Sequence, residues 1–279
     1  VKAIKAFSGG ELCRLDPPLD HAPLAVDQLQ FSQPRQITHM IYALGGTDAG
    51  LLVMLAQDGW QAQGFEVVCE QKFRGIRHAA SWDASDDIRN SHTKPTQHML
   101  ADAKFREGIA QLAPLNLSFE AWCYHPQIPD ATDLAQAFPD TTIILNHFGG
   151  PLGIGPYAGK REETFAQWRL DISNLAKCQN VVAKLGGINM RVNGFDWDLG
   201  EKPPSSEELA AATRAYYDHC IEVFGPDRCM FESNFPVDKR TCSYNVLWNT
   251  FKRIASGCSN SEKAALFHDT AARVYRLDS

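Results

Sequence analysis

Beyond Phe73 the chain repeats one pattern of apolar and polar positions. A short apolar run is followed by a loop rich in Gly, Pro or His, then by a longer stretch whose apolar residues recur at helical spacing. The runs cover residues 73–78, 117–124, 142–146, 181–185 and 229–233. They are short, nearly continuous and bounded by turn residues, so each predicts a strand. The intervening stretches predict helices at 96–112, 131–138, 162–176, 205–224 and 244–256, with a last helix at 261–276. Ser205 with Glu208 and Ser259 with Glu262 have the spacing of capping boxes, in which each side chain satisfies a backbone N–H of the other's turn. Strands that alternate with helices and lack a clean polar face predict a parallel sheet covered on both sides.

Five such units occupy the 207 residues from Phe73 to Ser279, about 41 per unit. Eight would need about 330 residues, within the range of a (β/α)8 barrel. The expected fold is therefore α/β, a TIM barrel whose strands four to eight are legible. Residues 1–72 do not continue the pattern. Residues 1–36 are rich in Pro, Gln and Asp with weak periodicity, and 40–56 would hold a strand and part of a helix. The chain divides into an atypical segment, 1–72, and a barrel portion, 73–279. The break at Lys72/Phe73 points to upstream residues that are truncated or read in a shifted frame relative to an ancestral gene. A barrel without its early strands would expose sheet edges and be prone to association.

Bulk properties narrow the function. The net charge is −6 and the hydrophobic fraction 44%. Basic residues are dispersed, which argues against nucleic acid and against an anionic membrane surface. The longest apolar stretch, 51–56, is far below the roughly 20 residues of a membrane span. The eight cysteines include no Cys-x-x-Cys pair. They read as reduced thiols of a cytoplasmic protein, with Cys123 and Cys229 as small core residues.

Reacting groups in parallel α/β folds gather at the C-terminal ends of the strands. Those ends here offer Arg77 and His78, Tyr124 and His125, Asn146 and His147, and Asn234 with Asp238. His147, His125, Asn234 and Asp238 are the catalytic candidates. Arg77, Arg74, His78 and Tyr124 are the candidates for substrate binding, Arg77 as a clamp on a substrate carboxylate. A buried Arg would otherwise pair with Glu120. His78 alternates to the opposite side from Arg77, toward the helix layer. Lys184 reads equally as barrel lining or as half of an ion pair. Gly149, Gly150, Gly186 and Gly187 permit tight turns or close approach to a ligand. Trp82 and Trp197 read as pocket wall or as packing.

Five segments in order, Phe73-Arg-Gly-Ile-Arg-His78, Trp122-Cys-Tyr-His-Pro-Gln127, Leu145-Asn-His-Phe-Gly-Gly-Pro151, Val182-Ala-Lys-Leu-Gly-Gly187 and Met230-Phe-Glu-Ser-Asn-Phe-Pro-Val-Asp238, resemble the amidohydrolase-2 family of the metal-dependent-hydrolase superfamily. The resemblance spans Phe73 to Leu277. It implies a hydrolase that opens the lactone of a sugar acid or dicarboxylate, with a small, acidic substrate. Decarboxylation of a muconate-type or aromatic acid is the alternative activity, and a catalytically inactive truncated relative the third reading. Two departures stand out. The family's His-x-His pair is absent from the chain, and its strand-eight Ser-Asp is Ser233-Asn234 here. Asn cannot take a proton from water, and Asp238 is the nearest substitute. A metal-free site is therefore expected, with zinc on His125 and His147 as the alternative. Oligomeric state is left open.

Overall fold

A computed structural model describes residues 74–277 throughout. Upstream it describes the backbone of two short antiparallel pairs, β1 (Phe7–Ser8) with β2 (Glu11–Leu12) and β3 (Gly50–Leu52) with β4 (Phe65–Val67). The remainder of the expected segment 1–72 lies outside the described residues.

The described body is a five-stranded parallel sheet: β5 (Gly75–Ala79), β6 (Ser118–Trp122), β7 (Ile143–Leu145), β8 (Val181–Leu185) and β9 (Cys229–Phe231). Spatial order follows chain order, and every neighbouring pair is parallel. This is the arrangement of consecutive strands in a barrel wall. The helices are α1 (Ala103–Ile109), α2 (Ile128–Ala137), α3 (Arg161–Leu175), α4 (Ser206–Phe224), α5 (Tyr244–Ile254), α6 (Asn260–Ala264) and α7 (Thr270–Tyr275). Both predicted capping boxes form, at the starts of α4 and α6. Two expected helices are interrupted. The region 96–112 holds a 3-10 turn before α1, because Asp102 caps α1 through the Phe105 amide and restarts the helix. A π-helical segment, Ala265–Asp269, joins α6 to α7.

Register gives the sheet two unlike faces. Ile76, Phe119, Ala121, Ile143, Leu145, Val181, Ala183, Leu185, Cys229 and Phe231 point outward into one core with the helices. Arg77, Glu120, Ile144, Lys184 and Met230 alternate to the inner face. There Ile144, Val182 and Met230 form a small apolar floor covered by Ala271, Val274 and Tyr275 of α7. The polar inner residues Arg77, Glu120 and Lys184 share that face, Glu120 beside Ile144 and Lys184 beside Met230. The six cysteines among the described residues are free thiols, and Cys123 and Cys229 are buried core residues. No helix among the described residues is long and apolar enough to cross a membrane.

Candidate active site

His147 is the centre of the site. It follows β7 and begins four consecutive residues with left-handed backbone: His147 (φ 53°), Phe148 (59°), Gly149 (62°) and Gly150 (43°). For the two non-glycine residues this conformation costs roughly 1–2 kcal/mol each, so the surroundings must hold it. They do so from three sides. Trp168 Nε1 donates to the Phe148 carbonyl at 2.7 Å, the His125 amide to the Gly150 carbonyl at 3.1 Å, and the Gly149 amide to the Asn146 carbonyl at 3.0 Å. The ring of His147 is buried and meets Trp122 edge-on, centroids 4.9 Å apart.

The neighbours of that ring fix its tautomer. Nε2 lies 3.1 Å from Nη2 of Arg77. A guanidinium only donates, so Nε2 accepts. Nδ1 faces two acceptors, the Gly186 carbonyl at 3.2 Å and the Glu232 carboxylate, which it contacts through Oε1. Nδ1 therefore carries the proton. Gly187 makes room for this geometry. Its φ is +79°, and a Cβ there would stand 2.7 Å from His147 Nδ1 and 3.0 Å from Asn234 Nδ2.

Charge continues down the inner face. Lys184 Nζ bridges the Glu120 oxygens at 3.1 and 3.0 Å and lies 4.0 Å from Oε2 of Glu232. Tyr275 donates its hydroxyl to Glu120 Oε1 at 2.6 Å. Burial opposes ionisation of Glu120, but Lys184, Arg77 and the Tyr275 hydrogen bond outweigh it and hold its pKa below the ordinary value. Burial likewise opposes ionisation of Glu232, but His147, Lys184 and Arg77 bring its pKa down to about 2. Two cations, Arg77 and Lys184, thus stand beside two carboxylates, Glu120 and Glu232, around His147.

Asn234, also left-handed at φ 51°, donates Nδ2 to Asp238 Oδ1 at 2.8 Å. Asp238 is buried, and its Oδ2 has no hydrogen-bond partner. Burial lifts its pKa to about 7; the Asn234 hydrogen bond opposes the rise and the Glu232 charge adds to it. His125 accepts the Leu152 amide on Nδ1 at 3.2 Å and meets Tyr157 edge-on. Burial depresses its pKa to about 4, so it is neutral at physiological pH.

The expected residues thus fall into two groups. Arg77 and His147 touch directly, and Asn234 and Asp238 form a pair beside them. His125 lies in the next loop, with its ring engaged by backbone and Tyr157. Three expected substrate-binding residues are placed elsewhere. Arg74 precedes β5 at the opposite end of the sheet and donates to the carbonyls of Tyr275 at 2.8 Å and Arg276 at 3.2 Å, so it anchors the C-terminus. His78 packs edge-on against Phe105 of α1, 5.4 Å between centroids, because strand alternation turns it into the helix layer. Tyr124 donates to the Arg89 carbonyl at 2.7 Å and ties down the loop after β5. Trp197 stacks on Phe195 as packing. The sequence reading missed Glu232 and Trp122. Alternation along 229–233 carries the signal for Glu232: with apolar Cys229 and Phe231 outward, Met230 and Glu232 face in.

The zinc alternative on His125 and His147 does not fit these residues. Both nitrogens of His147 are engaged, and a guanidinium cation occupies the side of Nε2. His125 has Nδ1 committed to a backbone amide, and position 234 supplies an amide in place of a carboxylate. Among the described residues no three His, Cys, Asp or Glu side chains stand together to hold a metal ion.

Comparison with known proteins agrees with the fold. Residues 49–277 match the Amidohydro_2 amidohydrolase family, starting upstream of Phe73, where the family-like pattern was expected to begin. The uncharacterized protein y4mH of Sinorhizobium fredii is 38% identical over 205 residues, covering 74% of this chain and 61% of that protein. An L-fucono-1,5-lactonase of Burkholderia multivorans is 29% identical over 276 residues, covering 92% of this chain and 86% of the lactonase. The crystal structure of an amidohydrolase from Burkholderia multivorans with bound zinc superposes with a TM-score of 0.61 at 27% identity, over 75% of this chain and 66% of that one. The chain thus spans about two thirds or less of the length of y4mH and of that structure. This chain belongs to the Amidohydro_2 amidohydrolase family, and its sheet is part of a TIM-barrel wall.

Proposed function

We propose that this chain hydrolyses the lactone ring of a small acidic substrate, a sugar acid or a dicarboxylate. The observation that carries the reading is the assembly of Arg77, His147 and Glu232 at the C-terminal ends of the strands. A lactone carbonyl gains negative charge on oxygen as water adds to carbon, and a fixed donor aimed at that oxygen lowers the barrier. Arg77 supplies that donor. His147 Nε2 holds the guanidinium in place, and Glu232 fixes the His147 ring through Nδ1. Asp238 is the base: its pKa near 7 matches proton transfer at neutral pH, and its Oδ2 is unengaged. The 29% identity to an L-fucono-1,5-lactonase over most of the chain supports this substrate class.

The zinc bound to the similar Burkholderia structure has no matching donor set among the described residues. A lactone ester is activated relative to an amide, so donor stabilisation and a base account for its hydrolysis.

The test is a panel of sugar-acid and dicarboxylate lactones, with acid release followed by a pH indicator and CO2 release followed in parallel. Each assay is run with added zinc and with chelator. Acid release indifferent to both additions is expected. CO2 release from an aromatic acid would replace the reading with decarboxylation. Inertness toward the whole panel would replace it with an inactive relative.

A further inference from the structure

The polar chain on the inner face begins in the C-terminal helix and ends at the mouth. The Tyr275 hydroxyl donates to Glu120 at 2.6 Å, Lys184 bridges Glu120 at 3.1 and 3.0 Å and reaches toward Glu232 at 4.0 Å, and Glu232 contacts His147 Nδ1. Tyr275 is itself held firmly. Its carbonyl accepts from Arg74, and it packs on the floor of Ile144, Val182 and Met230. The Lys184 ammonium lies 5.4 Å from its ring centroid.

Lys184 is shared unequally between two carboxylates. Attraction between charges falls with distance, so Glu120 at 3.0 Å holds the ammonium more strongly than Glu232 at 4.0 Å. The Tyr275 proton on Glu120 Oε1 offsets part of that pull. Without it Glu120 draws the ammonium closer, and Glu232 loses its second cation. A carboxylate so released turns more freely beside His147, and the ring has less to favour the proton on Nδ1. Hydrogen-bond chains in a low dielectric polarise one another, so an effect at one end is felt at the other.

We propose that Tyr275 is a positioning residue for His147: through Glu120 and Lys184 its hydroxyl fixes the Glu232 carboxylate against Nδ1 and keeps Nε2 the acceptor for Arg77. The contacts carry the positioning itself; its catalytic consequence rests on the lactonase reading.

Tyr275→Phe removes the hydroxyl and keeps the ring on its floor. Val274→Ala, the neighbouring floor residue, serves as the packing control. The first readout is the ring 15N spectrum of His147 in the full chain labelled at histidine. Wild type should show a protonated Nδ1 and an unprotonated Nε2. Tyr275→Phe should move both signals toward a tautomer average, and Val274→Ala should lower Tm without moving them. The second readout is kinetics on the best lactone of the panel, with kcat down about tenfold and KM within about twofold for Tyr275→Phe. Unchanged ring signals in Tyr275→Phe, or equal movement in Val274→Ala, would overturn the proposal. If no lactone is turned over, the hydrolase reading fails while the nitrogen signals still decide the positioning claim.

Discussion

Phe119 and Glu120 are consecutive in β6 and both buried, yet they belong to two different interiors. Phe119 points outward, meets Phe105 edge-on at 5.7 Å and joins the apolar core between sheet and helices. Glu120 points inward and meets Lys184 and Tyr275. The outer interior is held by apolar burial, worth roughly 1.5–3 kcal/mol for each large side chain. The inner interior is held by matched charges whose attraction largely offsets their desolvation. One strand thus divides stability and chemistry between its odd and even positions.

The largest effects should come from breaking either interior at this point. Phe119→Ala should cost about 3–5 kcal/mol in urea unfolding, through lost burial and the cavity left behind. Glu120→Ala should cost a comparable 3–5 kcal/mol for a different reason, since Lys184 then keeps a buried charge without its close partner. The double change Glu120→Leu with Lys184→Met separates the two cases. It should recover most of the stability and leave lactone hydrolysis impaired, whereas no second substitution among the charged residues should rescue Phe119→Ala.

A smaller effect distinguishes Asp238 from its charged neighbours. Its pKa rises from 3.8 to about 7 in the fold, so folding disfavours its ionised form. Below pH 4 both folded and unfolded chains are protonated there, and no penalty exists. The penalty grows as pH rises from 4 to 7 and is complete above 7, at most roughly 4 kcal/mol. Asp238→Asn should therefore raise Tm at pH 8, gain little at pH 4, and abolish the neutral-pH limb of the hydrolysis profile. A Tm gain independent of pH would refute the assignment.

The smallest effect lies on the acid side. His125 has its pKa lowered from 6.5 to about 4, and Glu232 from 4.5 to about 2. In both cases the unfolded chain takes up protons first, so stability drains away as pH falls: between 6.5 and 4 for His125, and between 4.5 and 2 for Glu232. His125→Gln should flatten the upper part of this decline in a Tm series and leave the lower part in place.

Much of this architecture is legible in the sequence. The span 181–185 is a strand as expected, and Ser205 caps α4 where the capping box placed it, because both signals are local. Asp102 shows the limit: it sits within an expected helix, yet its side chain caps the Phe105 amide and divides that helix. Among the site residues, alternation turned His78 toward the helices, as expected from its neighbour Arg77. Arg74 precedes β5 and is three residues from Arg77, so alternation does not carry it to the same face; its acceptors are the carbonyls of Tyr275 and Arg276. Glu232 was missed because its role depends on β7 and β8, the strands that bring His147 and Lys184 beside it. Alternation gives the side it faces, but its partners lie on strands distant in sequence and leave no local signature.

The most direct test is kcat/KM of His147→Asn on the best lactone of the panel. Asn keeps a polar side chain at the turn but removes the imidazole that joins Arg77 to Glu232. A fall of about 100-fold or more, with the variant still folded, is the expected result. Wild-type turnover in His147→Asn would contradict the account.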